Sequence, residues 1–247
     1  MASKQSNTVL AGPHAVQEAL ESGRSLDKAF VQQTEKQRLK PLTQALKEQG
    51  VPVAYVPRER LDRMTRTTHQ GVIARTAPIQ LFQLENWLPG LLQQRSRPTV
   101  ALLDGITDVR NLGAIARSAL SLGCSGLVVQ QGHAASINEE AVKASAGALM
   151  HIPVCRENNL VDAAFMLQAE GFTLAACTEH AQTSWEHVPV DAPLAAIFGA
   201  EGRGIQPKLL RAAPFKGRLP IGGPVGSLNV SVAAGIAFYV IDQKRRN

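Results

Sequence analysis

Short aliphatic runs alternate with amphipathic stretches along the whole chain. Apolar runs at residues 100–103, 126–130, 152–155, 172–176, 194–198 and 215–219 predict strands. Helical patterns fall between most of them, around 111–122, 138–149, 159–170 and 205–212, with a last one at 227–242. Continuous apolar strands separated by helices predict a mostly parallel sheet with helices on both faces, the α/β class. The first third follows a smaller version of the same pattern. Gly12-Pro13 precedes a helix at 14–21 with Val16, Ala19 and Leu20 on one face and Gly23 as its stop. A strand at 29–32, a helix at 39–49 ended by Gly50, and a strand at 51–56 follow. Pro57 opens a short basic helix carrying Arg58, Arg60, Arg63 and Arg66, and 72–74 reads as a last strand.

Between these patterns, residues 78–98 read as a connector. They hold an amphipathic piece (Leu84, Trp87, Leu88, Leu91, Leu92) interrupted by Pro89-Gly90. The expected organisation is a small α/β domain at 1–77, a linker at 78–98 and a larger α/β domain at 99–247.

With 247 residues, 45% hydrophobic and 19% charged, the chain can bury a sizeable core. No apolar run approaches the ~20 residues of a membrane-spanning helix. Residues 1–7 are polar and lack a signal-peptide core. Three cysteines without a C-x-x-C pair predict neither a disulfide framework nor a zinc site, and favour a reducing cytoplasm. Charge changes the picture more. Of a net +6, the first 77 residues hold +5. A basic module joined to a near-neutral one suggests that the first holds a polyanion; a solubilising surface is the other reading.

Familiar cofactor motifs are missing. There is no G-x-x-x-x-G-K-[ST], no G-x-S-x-G and no H-E-x-x-H, and the six histidines are scattered. Three Gly-rich segments hold the signal instead. In the first, 104–117, Asn111 is placed to cap a helix, and Gly113 and Arg117 are four apart on one face. Glycine so early in a helix suggests close approach of something to the backbone, and a guanidinium beside it suits a phosphate. A packing glycine and a surface arginine are the plainer alternative. The second, 197–205, sets three glycines at the end of a buried strand, with Glu201 either binding a polar group or bracing the loop. The third, 219–231, runs from a strand through a Gly/Pro loop into a helix expected near Ser227. That helix has the small residues Ala233, Ala234, Gly235 and Ala237, which admit another backbone from this chain or from a second subunit. At three successive strand ends, the segments describe a site on the carboxyl edge of a sheet.

The N-x-G-x-x-x-R of 111–117, the F-G-x-E-x-x-G of 198–204 and the S-L-N-V-S of 227–231 resemble the three motifs of the SpoU/TrmH family of SPOUT-class RNA 2′-O-ribose methyltransferases. The resemblance runs from about Thr99 to the C-terminus. The first third resembles the family's small substrate-binding domain, an arrangement most like the bacterial 23S rRNA guanosine-2′-O-methyltransferases. Leu219-Pro220-Ile221 stands where Ile-Pro-Met is usual. The resemblance implies a deep trefoil knot at the C-terminus and a homodimer with the site near the subunit interface. It implies S-adenosyl-L-methionine (AdoMet) held around Gly199, Leu219, Ile221 and Leu228, with no metal. It makes Arg117 the central catalytic residue, with Asn111, Glu201, Ser227 and Asn229 orienting substrate or loops. Arg117 as a base conflicts with the permanence of the guanidinium charge, so a phosphate clamp is the physically preferred role. A tRNA-directed enzyme of the same chemistry and an inactive RNA-binding relative are the rivals.

Overall fold

The computed structural model describes residues 9–224 and 226–246, which divide into two compact units at Gln80/Leu81. Unit one has four strands, β1 (Val9–Ala11), β2 (Leu26–Gln32), β3 (Val53–Val56) and β4 (Val72–Thr76), in the order β1-β4-β2-β3. The β2–β3 pair is parallel; β4 runs antiparallel to both β1 and β2. Helices α1 (Pro13–Glu21) and α2 (Lys40–Glu48) cover one face, where Val16, Leu20, Leu42 and Leu46 meet Ala29, Val31, Val72 and Ala74. Helix α3 (Arg58–Met64) covers the other, where Leu61 meets Phe30, Val56 and Ile73. Side chains alternate across a strand, so the Ala29-Phe30-Val31 centre of β2, covered on both faces, is apolar throughout.

Unit two is an eight-stranded sheet of β5 (Leu81–Phe82), β6 (Thr99–Asp104), β7 (Gly126–Gln130), β8 (Val154–Glu157), β9 (Thr173–Cys177), β10 (Thr183–Ser184), β11 (Leu194–Gly199) and β12 (Phe215–Arg218). Their order is β10-β12-β9-β11-β6-β7-β8-β5, and all pairs are parallel. Helices α4 (Leu84–Gln94), α7 (Leu160–Ala169) and α8 (Pro207–Ala212) bury Leu84, Leu88, Leu160, Leu167 and Leu209 against Val100, Leu102, Val128, Leu174 and Ile197. Helices α5 (Val109–Ser121), α6 (Glu139–Ala144) and α9 (Val230–Arg246) form a second packed group, with α5 touching both of the others.

The connector reading of 78–98 needs correction. From Leu81 the chain belongs to unit two: Leu81–Phe82 pairs with β8, and α4 buries Leu84, Leu88 and Leu91 in the core. Nor does Pro89-Gly90 interrupt that helix. A proline costs a helix one hydrogen bond, and burial of three leucines outweighs it. The ring of Trp87 also lies where a Cβ on Gly126 would sit, 2.5 Å from its Cη2, so only glycine lets α4 seat there.

Helix α9 is fastened at its middle and at its end. At its middle, the fully buried Trp185 donates from Nε1 to the Ala237 carbonyl at 3.2 Å, and Phe198 and Phe238 meet edge to face at 5.3 Å. At its end, Arg245 donates to Thr99 Oγ1 at 2.6 Å and to the Ala192 carbonyl at 3.3 Å. Lys244 donates to the Glu186 and Val188 carbonyls at 2.8 and 2.7 Å. The small residues of α9 serve the chain itself: Ala234 and Ala237 are buried, and a Cβ on Gly235 would lie 3.3 Å from Ser118 Oγ of α5. No helix among the described residues is long and apolar enough to cross a membrane.

Candidate active site

Strand order locates the crevice. From β6 the chain moves outward through β7 and β8, then returns to build β9 and β11 on the other side of β6. The order therefore reverses between β6 and β11, whose last residues Asp104 and Gly199 pair directly. Such a switch point opens a crevice beyond the carboxyl ends of the strands.

Asp104 is 1% exposed, a position a carboxylate tolerates only when fully bonded. Its Oδ2 accepts the Gln206 N–H at 2.6 Å and its Oδ1 the Gln206 side-chain amide at 3.2 Å, with Arg203 Nη2 at 3.7 Å. These contacts hold the turn between β11 and α8. Within that turn the Gly204 N–H bonds the Ala200 carbonyl at 2.8 Å, folding the chain back on Gly199. A Cβ on Gly199 would sit 2.2 Å from the Gly204 carbonyl carbon. Gly199 is thus required by its own turn, and Gly199→Val would distort that turn rather than merely fill a pocket.

The three Gly-rich segments meet at one point. Asn229 Nδ2 donates to Glu201 Oε1 at 2.6 Å and to Asn111 Oδ1 at 3.0 Å, and Asn111 Nδ2 donates to Glu201 Oε1 at 3.2 Å. Asn229 also caps α9, its Oδ1 accepting the Ser231 N–H at 2.9 Å and the Ser231 hydroxyl at 2.6 Å. Two expectations about helix starts are thereby corrected. Asn111 does not cap α5; Asp108 does, accepting the Arg110 N–H at 2.7 Å, which leaves the Asn111 amide free for Glu201. Ser227 lies three residues before α9, in the wall of the cavity.

Beside this cluster lies a cavity of about 360 Å³, walled by Gly199, Glu201, Ser227, Leu228 and Asn229 together with Thr178. A smaller cavity of about 60 Å³ shares Ser227 and Leu228 and adds Leu219 and Ile221. All four residues expected to hold a cofactor thus line one pair of adjoining cavities. Ile221 and Leu228 are 39% and 37% exposed, large apolar side chains with faces open beside bare main chain. Cys177 also lines both cavities. Burial, with Glu179 adding to it, pushes its thiol up to about 12, so it stays neutral and is no nucleophile. Among the described residues no group of three or more His, Cys, Asp or Glu side chains could hold a metal ion.

One first-segment expectation comes out differently. Gly113 makes room for the protein rather than for a ligand: its Cβ would lie 2.6 Å from Ala144 Cβ and 2.8 Å from Ser145 N. Arg117 lines neither cavity. It sits six residues beyond Asn111, roughly 9 Å along the helix axis, exposed, its guanidinium without a hydrogen bond or ion pair to another described residue. Sequence reasoning gives no role to Asp104, Arg203, Gln206 or Thr178. The one signal for Asp104 is an acid closing an otherwise apolar buried strand.

Comparison with known proteins finds matches to both units. The model of the SpoU rRNA methylase family matches residues 98–239, and that of the RNA 2′-O ribose methyltransferase substrate-binding domain matches residues 9–82. A Staphylococcus haemolyticus protein assigned to the TrmH family of tRNA/rRNA methyltransferases is 34% identical over 96% of both chains. Among solved structures, the AdoMet-bound rRNA methyltransferase from Sinorhizobium meliloti aligns with a TM-score of 0.62 at 23% identity, over 96% of this chain and 87% of its own. The SpoU methyltransferase AviRb from Streptomyces viridochromogenes, in complex with AdoMet, aligns at 0.59 and 21%, over 97% and 90%. These last two likenesses concern the fold.

Proposed function

Since the chain belongs to the SpoU rRNA methylase family of RNA methyltransferases, we propose that it moves a methyl group from AdoMet to a ribose 2′-hydroxyl of 23S rRNA, at a guanosine. The observation that carries the reading is the joining of Asn111, Glu201 and Asn229 beside the paired cavities. The lining suits AdoMet: Leu219, Ile221 and Leu228 offer apolar surface for an adenine face, and the glycine-rich main chain offers polar groups at its edges. Bound there, AdoMet supplies an electrophilic methyl group on a sulfonium. A cation and a developing alkoxide cancel charge as they meet, so the apolar wall assists by excluding water. The chain's own residues do the rest. Glu201, held by two amides, fixes the loop over the cavity, and Ser227 offers a hydroxyl to substrate.

Arg117 acts as the phosphate clamp, and it reaches the cavity of a partner subunit. Its exposure, and its distance from Asn111 within one chain, support that arrangement. So does α9, which packs on α5 and presents Val232, Ile236 and Tyr239 as an exposed apolar stripe at helical spacing. A homodimer through α5 and α9 covers the stripe. The C-terminal trefoil knot belongs to the same reading. It is supported by Asn229, which bonds Glu201 immediately before α9 begins. The S. haemolyticus relative is named for both tRNA and rRNA, which keeps tRNA as the second reading.

Mixed dimers test the reading. Arg117→Ala and Glu201→Ala chains, each inactive alone, are co-refolded in equal amounts. An arginine acting across the interface restores about one quarter of wild-type transfer, because half the dimers are mixed and each has one intact site. No restoration contradicts the clamp in trans.

A further inference from the structure

Unit two has a further cleft on the opposite edge of its sheet. Residues 123–125 run into β7 and residues 151–153 into β8, so both loops lie at the amino ends of the strands. The crevice described above lies beyond the carboxyl ends. Together with the later turns of α4 and the end of α5, the two loops enclose about 310 Å³, within the roughly 300–1,000 Å³ of ligand sites. Trp87 and Leu91 of α4, Leu120 of α5, and Ile152 and Pro153 form the apolar part of the wall. One edge of the Trp87 ring occupies the space that a Cβ on Gly126 would take, which holds the ring in place.

Ser125 belongs to the same wall and is 8% exposed. Its Oγ is buried with no hydrogen-bond partner, although nearly all buried polar atoms in folded proteins have one. The adjacent Cys124 thiol makes no claim on that hydroxyl, since it lies 3.4 Å from both the Thr99 and the Gly126 carbonyls. Burial pushes this thiol up to about 11, so it stays neutral. No acid lines the cleft. Arg95 Nη1 meets the Gly123 carbonyl only at 3.5 Å, and no described carboxylate pairs with its guanidinium. The exposed His151 ring and Gln94 amide likewise have no hydrogen bond or ion pair to another described residue. A tryptophan beside aliphatic side chains suits a planar ring. A guanidinium and a free hydroxyl suit a carboxylate, which accepts from both. One arginine matches a single negative charge better than the nearly two of a phosphate monoester.

We propose that this cleft binds a small aromatic carboxylate, its ring against Trp87 and its anion on Arg95 and Ser125. The site is separate from the crevice of methyl transfer and does not rest on that reading. The chain has two tryptophans, and Trp185 is fully buried against α9. The full chain labelled with fluorotryptophan therefore reports the cleft and an internal control in one fluorine spectrum. The probe is 2-naphthoate, with naphthalene-2-carboxamide as its uncharged counterpart. The expected result is a saturable shift of the Trp87 resonance alone, with a Kd on the order of 1 mM or tighter. The carboxamide binds more weakly. Arg95→Ala weakens the carboxylate about three- to tenfold and leaves the carboxamide unchanged. Ser125→Ala weakens the carboxylate about two- to tenfold without lowering the denaturation midpoint, because the lost hydroxyl has no partner in the folded chain. Saturating S-adenosylhomocysteine leaves the shift intact. No shift at Trp87, equal shifts at both tryptophans, equal affinity for the carboxamide, or displacement by S-adenosylhomocysteine would each overturn the proposal. Unchanged binding in both variants would overturn it as well.

Discussion

Asn229 illustrates how much one side chain does at this site. Its amide donates to Asn111 and Glu201 while its oxygen caps α9, so one residue ties the cavity wall to the helix behind it. Asp104 plays a comparable part from below, through Gln206. Asp104→Asn puts an amide donor against two donors, and a buried unsatisfied group costs about 1–3 kcal/mol. The expected outcome is a lower denaturation midpoint and weaker AdoMet binding by calorimetry; wild-type values in both would contradict the role. For Arg117 a phosphate clamp predicts graded losses. Arg117→Ala loses about 2.7–4 kcal/mol of transition-state stabilisation, as when an oxyanion donor is removed. Arg117→Lys keeps a cation without the planar fork and falls between. Single-turnover rates against pH separate this from a base: a wild-type inflection lost equally in both variants would contradict the clamp. Asn111, Glu201 and Asn229 are legible through their motif context. Asp104 and Gln206 are not, because their bond spans 102 residues and leaves no local pattern.

Among the elements, buried parallel strands are the easiest to read, since Val, Leu, Ile and Ala fill both faces of β6, β7 and β11. The two- and three-residue strands β1, β5 and β10 are not, being too short for any period to show. Helix α4 misleads because Pro89-Gly90 is a local breaker signal, and the leucines that override it act through tertiary packing. Close approaches are half legible: glycine at 113 signals one, but its neighbour proves to be the α6 turn. Gly113→Ala is expected to cost about 1–3 kcal/mol by overpacking α5 against that turn. Asn229→Ala is expected to cost about 1 kcal/mol for the lost cap, and a larger share of activity than of stability. Thermal denaturation beside transfer rates checks both; a harmless Gly113→Ala would show that α5 and α6 pack less closely than described.

For the whole molecule, the basic first unit and the parallel second unit are visible in charge and periodicity. The end of the first unit is legible to within a few residues, 77 against Gln80; the start of the second is not, because the chain enters its sheet through a two-residue strand at Leu81. Its buried thiols give stability a defined pH dependence. Burial raises Cys124 from the usual 9.0 to about 11, and Cys177 to about 12. The folded state therefore holds these protons more tightly than the unfolded chain does. Their contribution is complete below pH 9 and is lost as pH rises through 11 to 12. Cys124 alone accounts for a loss on the order of 2–3 kcal/mol, so Cys124→Ala flattens the fall in urea midpoint between pH 9 and 11. An unchanged fall would assign alkaline unfolding to other groups.

The most direct measurement of the central claim uses methyl-labelled AdoMet, the purified chain, and separate rRNA and tRNA fractions, followed by alkaline hydrolysis. A methylated ribose 2′-oxygen cannot attack the neighbouring phosphate, so label on the ribose survives in alkali-resistant dinucleotides. The account predicts such label, in 23S rRNA at a guanosine, with transfer reduced by Arg117→Ala. Label released in mononucleotides would place the methyl on a base, and no incorporation into either RNA would deny the activity; either result contradicts the account.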